Sequence, residues 1–291
     1  MLVLVLINFE ENQIYYFITP PALNMTRQSA LNLFSLKNKV AVISGGSRGI
    51  GWEITKAYAS AGSHVIFYYN SSTPSQVKAK CAEITQEYGV QCYGYQVDIT
   101  SPSSIESTTQ KILQTFGKIN IFVANAGIPW TNHDVLHIED DEAAYMKWRN
   151  LFAVDVDSVH LCARSIGRVF QKQEFGNFIV TTSMSAHIVN VPQLQAPYNA
   201  AKAAVTMYAK SLAVEWSKFG ARVNMVSPGY VATDLIEQLD PKLVETWLDR
   251  IPVKRLATAD EMVGAYLYLA SDASSYCCGT DLIVDGGYTI V

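Results

Sequence analysis

The chain has 291 residues, of which 49% are hydrophobic and 16% are charged, so it can bury a large core and does not have the composition of a disordered protein. A net charge of -4, without any run of lysines or arginines, argues against a dominant nucleic-acid surface. The five cysteines form no metal-ligand pattern, and we expect free thiols in a reducing compartment at Cys81, Cys92, Cys162, Cys277 and Cys278.

The beginning of the chain differs in pattern from the rest. Residues 1–7 are apolar, but a membrane-spanning helix needs about 20 such residues, and no basic segment precedes the run as in a signal peptide. Two adjacent prolines then interrupt the chain. We therefore expect residues 1–24 to lie outside the fold, Met25 to be the working start, and the location to be cytoplasmic. The predicted division is an N-terminal extension at 1–35 and a single domain at 36–291.

From residue 39 onward, short β-branched runs alternate with longer amphipathic stretches. The pattern predicts strands at 39–43, 64–69, 91–97, 119–124, 176–183 and 221–226. It predicts helices after each of the first two strands and at 102–116, 141–172 and 198–218. Strands that alternate with helices form βαβ units, so the predicted fold class is α/β, with a doubly wound parallel sheet.

A glycine-rich loop follows the first predicted strand. Gly45, Gly49 and Gly51 have the spacing G-x-x-x-G-x-G and lead into the first helix. Glycine allows a tight turn and a close approach of the backbone, and the helix N-terminus presents free N–H groups to a pyrophosphate. The alternative is a flexible loop, but the position between the first strand and the first helix favours a nucleotide site.

Tyr198 and Lys202 are four residues apart in the predicted helix 198–218, so their side chains lie one turn apart on the same face. An ammonium group at this distance favours the phenolate form of a tyrosine, which suits proton transfer to a substrate oxygen. Taken alone, the pair is more typical of a surface helix with a solvated lysine.

Four motifs occur in order along the chain: Ser44-Gly-Gly-Ser-Arg-Gly-Ile-Gly, Asn125-Ala-Gly, Tyr198-x-x-x-Lys and Ser227-Pro-Gly. Together they resemble the short-chain dehydrogenases/reductases, and the resemblance covers residues 36–291. It implies a single Rossmann-type domain with helices on both faces of the sheet, and reduction of a ketone to a secondary alcohol with NADPH. Within that family, the sequence that flanks the motifs is most similar to that of yeast carbonyl reductases and sorbose reductases.

Other functions remain open at this point. Within the enzymes, they are a polyol dehydrogenase and a 3-oxoacyl reductase. From another class, a catalytically idle NADP-binding sensor or scaffold would keep the nucleotide loop, but it would not need the Tyr198–Lys202 pair.

The resemblance also implies catalytic roles. Tyr198 is the proton donor, and Lys202 tunes it and binds the nicotinamide ribose. Ser183 positions the carbonyl oxygen, because the local pattern aligns with family members that have two extra residues before the tyrosine; Ser185 is the alternative. Asp155 stands where the family has an asparagine whose main-chain carbonyl holds a relay water.

An aspartate in that place keeps the carbonyl but brings a carboxylate near Lys202, which puts the family's proton relay in doubt. Asp157 and Asn150 are weaker candidates for this position, and we expect both to be solvated.

The choice of cofactor is predicted from the end of the second strand, where NAD enzymes of this fold place an acidic residue. Asn70 and Ser71 stand there instead, and Arg48 in the glycine loop can bind a 2′-phosphate, so we expect NADP. By resemblance, Asp98 contacts the adenine and Asn125 supports the ribose. The full set of expected cofactor contacts is Gly45, Ser47, Arg48, Gly49, Ile50, Gly51, Asn70, Ser71, Asp98, Asn125, Ala126, Gly127, Tyr198, Lys202, Pro228, Gly229, Val231 and Thr233.

The substrate is expected to meet a largely apolar wall with a few polar groups. The residues expected near it are Pro129, Trp130, Ile188 and the segment 235–247, with His187 and Asn190 available to hydroxyl groups. His133 and His137 have helical spacing but no third ligand, so no metal is expected. Family resemblance and the apolar faces of helix 198–218 imply a homotetramer, with a dimer as the alternative.

Overall fold

The computed structural model describes residues 29–233 and 241–291. The predictions for residues 1–24, for Met25 and for residues 235–240 of the segment 235–247 lie outside the described residues. A 3-10 helix spans Ala30–Phe34, and Phe34–Val291 form one compact unit. The proposed boundary at 35/36 stays a prediction.

Seven parallel strands form the main sheet, in the order β3-β2-β1-β4-β5-β6-β9, and two short strands, β7 and β8, pair separately. The strands are β1 Val40–Ser44, β2 His64–Tyr69, β3 Cys92–Gln96, β4 Ile121–Ala124, β5 Gly176–Thr181, β6 Ala221–Pro228, β7 Val231–Ala232, β8 Ala257–Thr258 and β9 Asp281–Val284. The strand order reverses between β1 and β4, and in open α/β sheets a ligand binds at the carboxyl ends of the strands at such a point.

Helices connect the strands of the main sheet. They are α1 Gly49–Ser60, α2 Pro74–Tyr88, α3 Pro102–Phe116, α4 Asp141–Phe152, α5 Ser158–Gln173, α6 Ala196–Ser217, α7 Pro241–Arg250 and α8 Val263–Ala270. Local sequence fixes several of their ends. The side chain of Thr73 accepts the N–H of Gln76 and caps α2, whereas Gly89 ends this helix in the left-handed conformation.

Both faces of the sheet are covered by helices. On one face, Phe122 and Phe178 stack at 5.3 Å, and Trp216 of α6 packs edge-on against Phe178. On the other face, Ile54 of α1 and Leu269 of α8 are fully buried against the same strands. The doubly wound Rossmann-type fold expected from the sequence is therefore confirmed.

Two details differ from the expectations. The segment 141–172, predicted as a single helix, consists of α4, a π-helical turn at Ala153–Asp157, and α5. The C-terminal segment, for which no strand was predicted, contains β9, and Leu282 and Val284 pack on the core. Among the described helices, none has the length and apolar character needed to cross a membrane.

Candidate active site

The glycine-rich loop joins β1 to α1 and is built around two left-handed residues, Gly45 with φ 65° and Gly49 with φ 51°. A Cβ on Gly51 would lie 2.2 Å from the carbonyl oxygen of Gly45, so no side chain fits there. Arg48, the residue that precedes α1, makes no side-chain cap hydrogen bond. The first N–H groups of α1 thus have no capping side chain, as a phosphate-binding helix N-terminus requires.

Ser44 fixes this loop to the loop after β4. Its hydroxyl oxygen accepts the N–H of Asn125 at 2.9 Å and of Ala126 at 3.1 Å. The Asn125 amide donates to the Ser44 carbonyl at 3.2 Å and accepts the Thr181 hydroxyl at 3.2 Å. Asn125 therefore holds the ends of three neighbouring strands together. Sequence reasoning missed Ser44 and Thr181, although Ser44 is the first residue of the loop motif.

A cavity of about 470 Å³ lies at the N-terminus of α1. Its lining residues are Ser47, Arg48, Gly49, Trp52, Glu53, Ser72, Gln76, Lys80, Ala232, Thr233 and Ala259. Arg48 and Lys80 bring positive charge to this wall, and the Ser72 and Ser47 hydroxyls are 3.2 Å apart. Two cations, two hydroxyls and a glycine loop that excludes side chains fit a phosphorylated dinucleotide.

Sequence reasoning missed Ser72 and Lys80 of this cavity. Lys80 lies on α2 with its ammonium 4.0 Å from the ring centre of Trp52, a contact between helices that no local motif announces. Asn70 and Ser71 follow β2 but are not among the lining residues, so their contact with the cofactor stays a prediction.

The other predicted cofactor contacts lie at the carboxyl ends of strands. Asp98 follows β3, and the hydroxyl and N–H of Thr100 bind its carboxylate and lower its pKa. Gly229 follows β6, and its N–H donates to the carbonyl oxygen of Val284 at 2.9 Å. Thr233 lies near the glycine loop, since a Cβ on Gly49 would be 3.6 Å from its methyl group. Their direct contacts, like those of Ile50, Pro228 and Val231, stay predictions.

Tyr198 and Lys202 lie one turn apart on α6, as predicted. The Lys202 ammonium is 5.4 Å from the ring centre of Tyr198 and 2.9 Å from the Asp155 carboxylate. Lys202 is 4% exposed and Asp155 1% exposed, so the ion pair is buried. Asn150 and Asp157 are exposed, as expected for solvated helix residues. The π-helical turn thus places Asp155, and not its neighbours, against Lys202.

This ion pair determines the charge at the site. Burial by itself lowers the pKa of Lys202, but the Asp155 carboxylate and the Tyr198 phenol offset that effect, and the pKa lies above its ordinary value. The second carboxylate oxygen of Asp155 accepts the N–H of Ile128 at 2.9 Å. The Asp155 side chain therefore binds both Lys202 and the Ile128 N–H. The family resemblance had implied a role only for the main-chain carbonyl of this residue.

Ser183 and Ser185 are both buried, but their hydrogen bonds differ. Ser183 follows β5, and its hydroxyl oxygen accepts the N–H of Ser185 at 3.1 Å, which leaves the Ser183 O–H hydrogen available to an acceptor. The Ser185 oxygen instead accepts the side-chain amide of Gln195 at 3.1 Å. The choice of Ser183 as the oxygen-positioning residue stays a prediction, and this arrangement supports it.

Two further expectations concern histidines. His133 and His137 are exposed, and within residues 29–233 and 241–291 no cluster of three metal-ligating side chains is found. His187 lies beyond Ser183, and its Nε2 atom is 2.9 Å from the Asp281 carboxylate and 3.2 Å from the Ser227 hydroxyl. Its side chain is thus engaged with β6 and β9.

Known proteins are similar to this chain in sequence and in structure. A family model described as enoyl-(acyl carrier protein) reductase matches residues 45–289. A sorbose reductase of Candida albicans is 48% identical over 261 residues, which are 90% of each chain. An L-xylulose reductase of Hypocrea jecorina is 44% identical over 279 residues, covering 90% of this chain and 94% of its own. The crystal structure of an NADPH-dependent 3-quinuclidinone reductase from Rhodotorula rubra superposes with a TM-score of 0.84 at 36% identity, covering 94% of this chain and 98% of that one.

Proposed function

The chain belongs to the short-chain dehydrogenase/reductase family and is an NADP-dependent oxidoreductase that reduces a ketone to a secondary alcohol, and we propose that its substrate is an open-chain ketose. The observation that carries the proposal is the 48% identity to a sorbose reductase, together with the presence of Tyr198, Lys202 and the predicted Ser183 in this chain. An idle nucleotide sensor would not need a buried lysine beside a tyrosine.

The residues of the chain divide the chemistry among them. When bound, NADPH supplies the hydride. The glycine-rich loop and Arg48 would hold the NADPH. The Ser183 hydroxyl donates a hydrogen bond to the ketone oxygen and shares the negative charge that develops there. Tyr198 donates its proton to that oxygen, and Lys202 stabilises the phenolate that remains. In the oxidative direction, Tyr198 acts as the base.

A substrate panel tests the proposal. We expect the purified protein to oxidise NADPH, followed by absorbance, with L-sorbose, D-fructose or L-xylulose, and to form the corresponding polyol. Cyclohexanone and a 3-oxoacyl thioester are the comparison substrates. Faster turnover of the thioester than of every ketose would favour the 3-oxoacyl alternative. Tight NADPH binding without turnover of any ketone would favour the sensor.

We also propose a homotetramer. The support is the second face of α6, where Met207 is 63% exposed and Val214 77% exposed while the opposite face is buried in the core. Apolar side chains at this level of exposure on a long helix are typical of a subunit interface. Light scattering at several protein concentrations distinguishes a tetramer from the alternative dimer.

A cytoplasmic location is proposed as well. Its support is that Cys81, Cys92, Cys162, Cys277 and Cys278 are all free thiols, as is usual in a reducing compartment. Fluorescence microscopy of the full chain with a C-terminal tag tests this proposal, and accumulation in an organelle would contradict it.

A further inference from the structure

A chain of buried polar side chains leads away from Ser183. The N–H of Ser185 donates to the Ser183 hydroxyl at 3.1 Å, and the Gln195 amide donates to the Ser185 hydroxyl at 3.1 Å. The same amide donates to the Asn190 carbonyl oxygen at 2.9 Å, and the Asn190 amide donates to the Tyr230 hydroxyl at 3.2 Å. Ser185, Gln195 and Asn190 are 4%, 7% and 2% exposed. The chain thus connects the predicted oxygen-positioning serine with an aromatic wall.

The hydrogen-bond capacity of this chain is not exhausted. Both amide hydrogens of Gln195 are used, one for Ser185 and one for Asn190. The Ser185 O–H and the second amide hydrogen of Asn190 have no acceptor among the described residues. Burial raises the pKa of the Tyr230 phenol, which keeps it in the neutral form. Unused donors are therefore present along a path that begins at the Ser183 hydroxyl.

Trp247 of α7 provides a further donor at the far end. Its ring is stacked on that of Tyr230, with centroids 4.0 Å apart and planes at 11°. Trp247 is 2% exposed, and its indole N–H has no hydrogen-bond partner in the described part of the chain. A buried N–H without an acceptor is costly, and natural proteins rarely keep one without a reason. A ligand oxygen would satisfy it.

We propose that Ser185, Asn190 and Trp247 form a subsite that binds the hydroxyl groups of the ketose while its carbonyl lies at Ser183 and Tyr198. This inference rests on the proposed function and specifies how it is achieved. A hydroxyl group both donates and accepts, so it satisfies the groups left open here, and a site built to bind hydroxyls discriminates against analogues that lack them. Ser185 is then a substrate-binding residue, which gives it a role other than capping.

The test compares wild type with Trp247→Phe, which removes the N–H and keeps a ring against Tyr230. The substrates are L-sorbose, 6-deoxy-L-sorbose and cyclohexanone with saturating NADPH. We expect the variant to raise KM for L-sorbose about tenfold, an effect of about 1.4 kcal/mol, with kcat within about twofold, and to leave kcat/KM for cyclohexanone unchanged. Ser185→Ala should act in the same direction.

Trp216→Phe in the core cluster is the matched control, because it makes the same exchange away from the subsite and should leave KM for L-sorbose unchanged. Thermal unfolding and NADPH binding of each variant verify that it is folded. If wild type reduces L-sorbose and both subsite variants keep its KM, or slow cyclohexanone equally, the subsite is wrong and the proposed function stands. If wild type reduces cyclohexanone and no ketose, both are wrong.

Discussion

Replacing Asp155 with asparagine keeps the shape of the side chain and removes its charge. In the folded chain, one carboxylate oxygen lies 2.9 Å from the Lys202 ammonium and the other accepts the Ile128 N–H at 2.9 Å. An amide has one oxygen and one NH2 group, so it can keep the bond from Ile128 or offer an acceptor to Lys202, but not both. The variant therefore leaves a buried ammonium without its anion.

The magnitude follows from burial and distance. At 2.9 Å and an effective dielectric constant near 20, the attraction between two unit charges is about 6 kcal/mol. Desolvation offsets much of this attraction when the pair forms, but removing one partner of a buried pair costs about 3–5 kcal/mol, because the other charge stays buried. Since asparagine retains one polar contact, we expect Asp155→Asn to lower the free energy of unfolding by about 3 kcal/mol, at the lower end of that range.

Urea-induced unfolding of the protein without cofactor, followed by circular dichroism at one fixed protein concentration, measures this loss. The pH dependence gives a second check. The pKa of Lys202 is raised in the folded chain above its ordinary value of 10.5. The stabilisation is therefore complete below the unfolded-state value and is lost as the pH rises through the folded-state value. In the variant, burial without the carboxylate lowers the pKa of Lys202. The difference between wild type and variant should therefore be largest near neutral pH and shrink as the pH rises, first when the variant's lysine loses its proton and then when the wild-type lysine does.

Glu261→Gln is the matched control. Its carboxylate makes two bonds of 2.7 Å to Arg255, shorter than the buried ion pair, but this pair is exposed. Exposed ion pairs contribute little to stability, so the control should unfold at nearly the wild-type urea concentration. If Asp155→Asn also unfolded there, or if its difference from wild type did not change at alkaline pH, the buried ion pair would not have the role that its geometry indicates.

Three further substitutions test the glycine-rich loop and the predicted role of Ser183. Arg48→Ala should weaken NADPH binding about tenfold and leave NADH binding unchanged, measured by fluorescence titration, because it removes a charged contact to the 2′-phosphate. Gly51→Ala should abolish NADPH binding, since its Cβ would lie 2.2 Å from the Gly45 carbonyl oxygen, whereas Gly264→Ala in α8 meets open space and should bind normally. Ser183→Ala should reduce kcat about 10²–10³-fold with the NADPH dissociation constant unchanged, if this hydroxyl stabilises the developing oxyanion.

Much of the fold could be predicted because local signals coincide with element ends. The strand at 64–69 and the helix at 102–116 have the predicted bounds. The latter begins after Ser101 as N-cap and ends at Gly117 in the left-handed conformation, both of which are local features. The strand β9 was missed because it depends on pairing with β6, about 55 residues earlier, which no periodicity reveals.

The site could be predicted in part for a related reason. Motifs identify Tyr198 and Lys202, since their spacing is a property of a single helix. Asp155 lies in the π-helical turn Ala153–Asp157, which has one residue more than a turn of α-helix. The hydrophobic periodicity of residues 141–172 does not distinguish such a turn from a continuous α-helix. The path from Ser185 through Gln195 to Asn190 is equally invisible in the sequence, because it depends on how a loop folds back against the start of α6.

Gly127 lies in the loop after β4, next to the ion pair between Asp155 and Lys202. A Cβ at this position would lie 3.2 Å from an Asp155 carboxylate oxygen and 3.4 Å from the Lys202 ammonium, so the glycine leaves room for the ion pair. The same short loop is fixed at its start to β1 through Asn125 and at its end to Asp155 through the Ile128 N–H. Lys202 is therefore positioned by the loop after β4 as much as by its own helix. A four-residue spacing alone does not fix the lysine beside the tyrosine; the buried carboxylate and the space left by the glycine do.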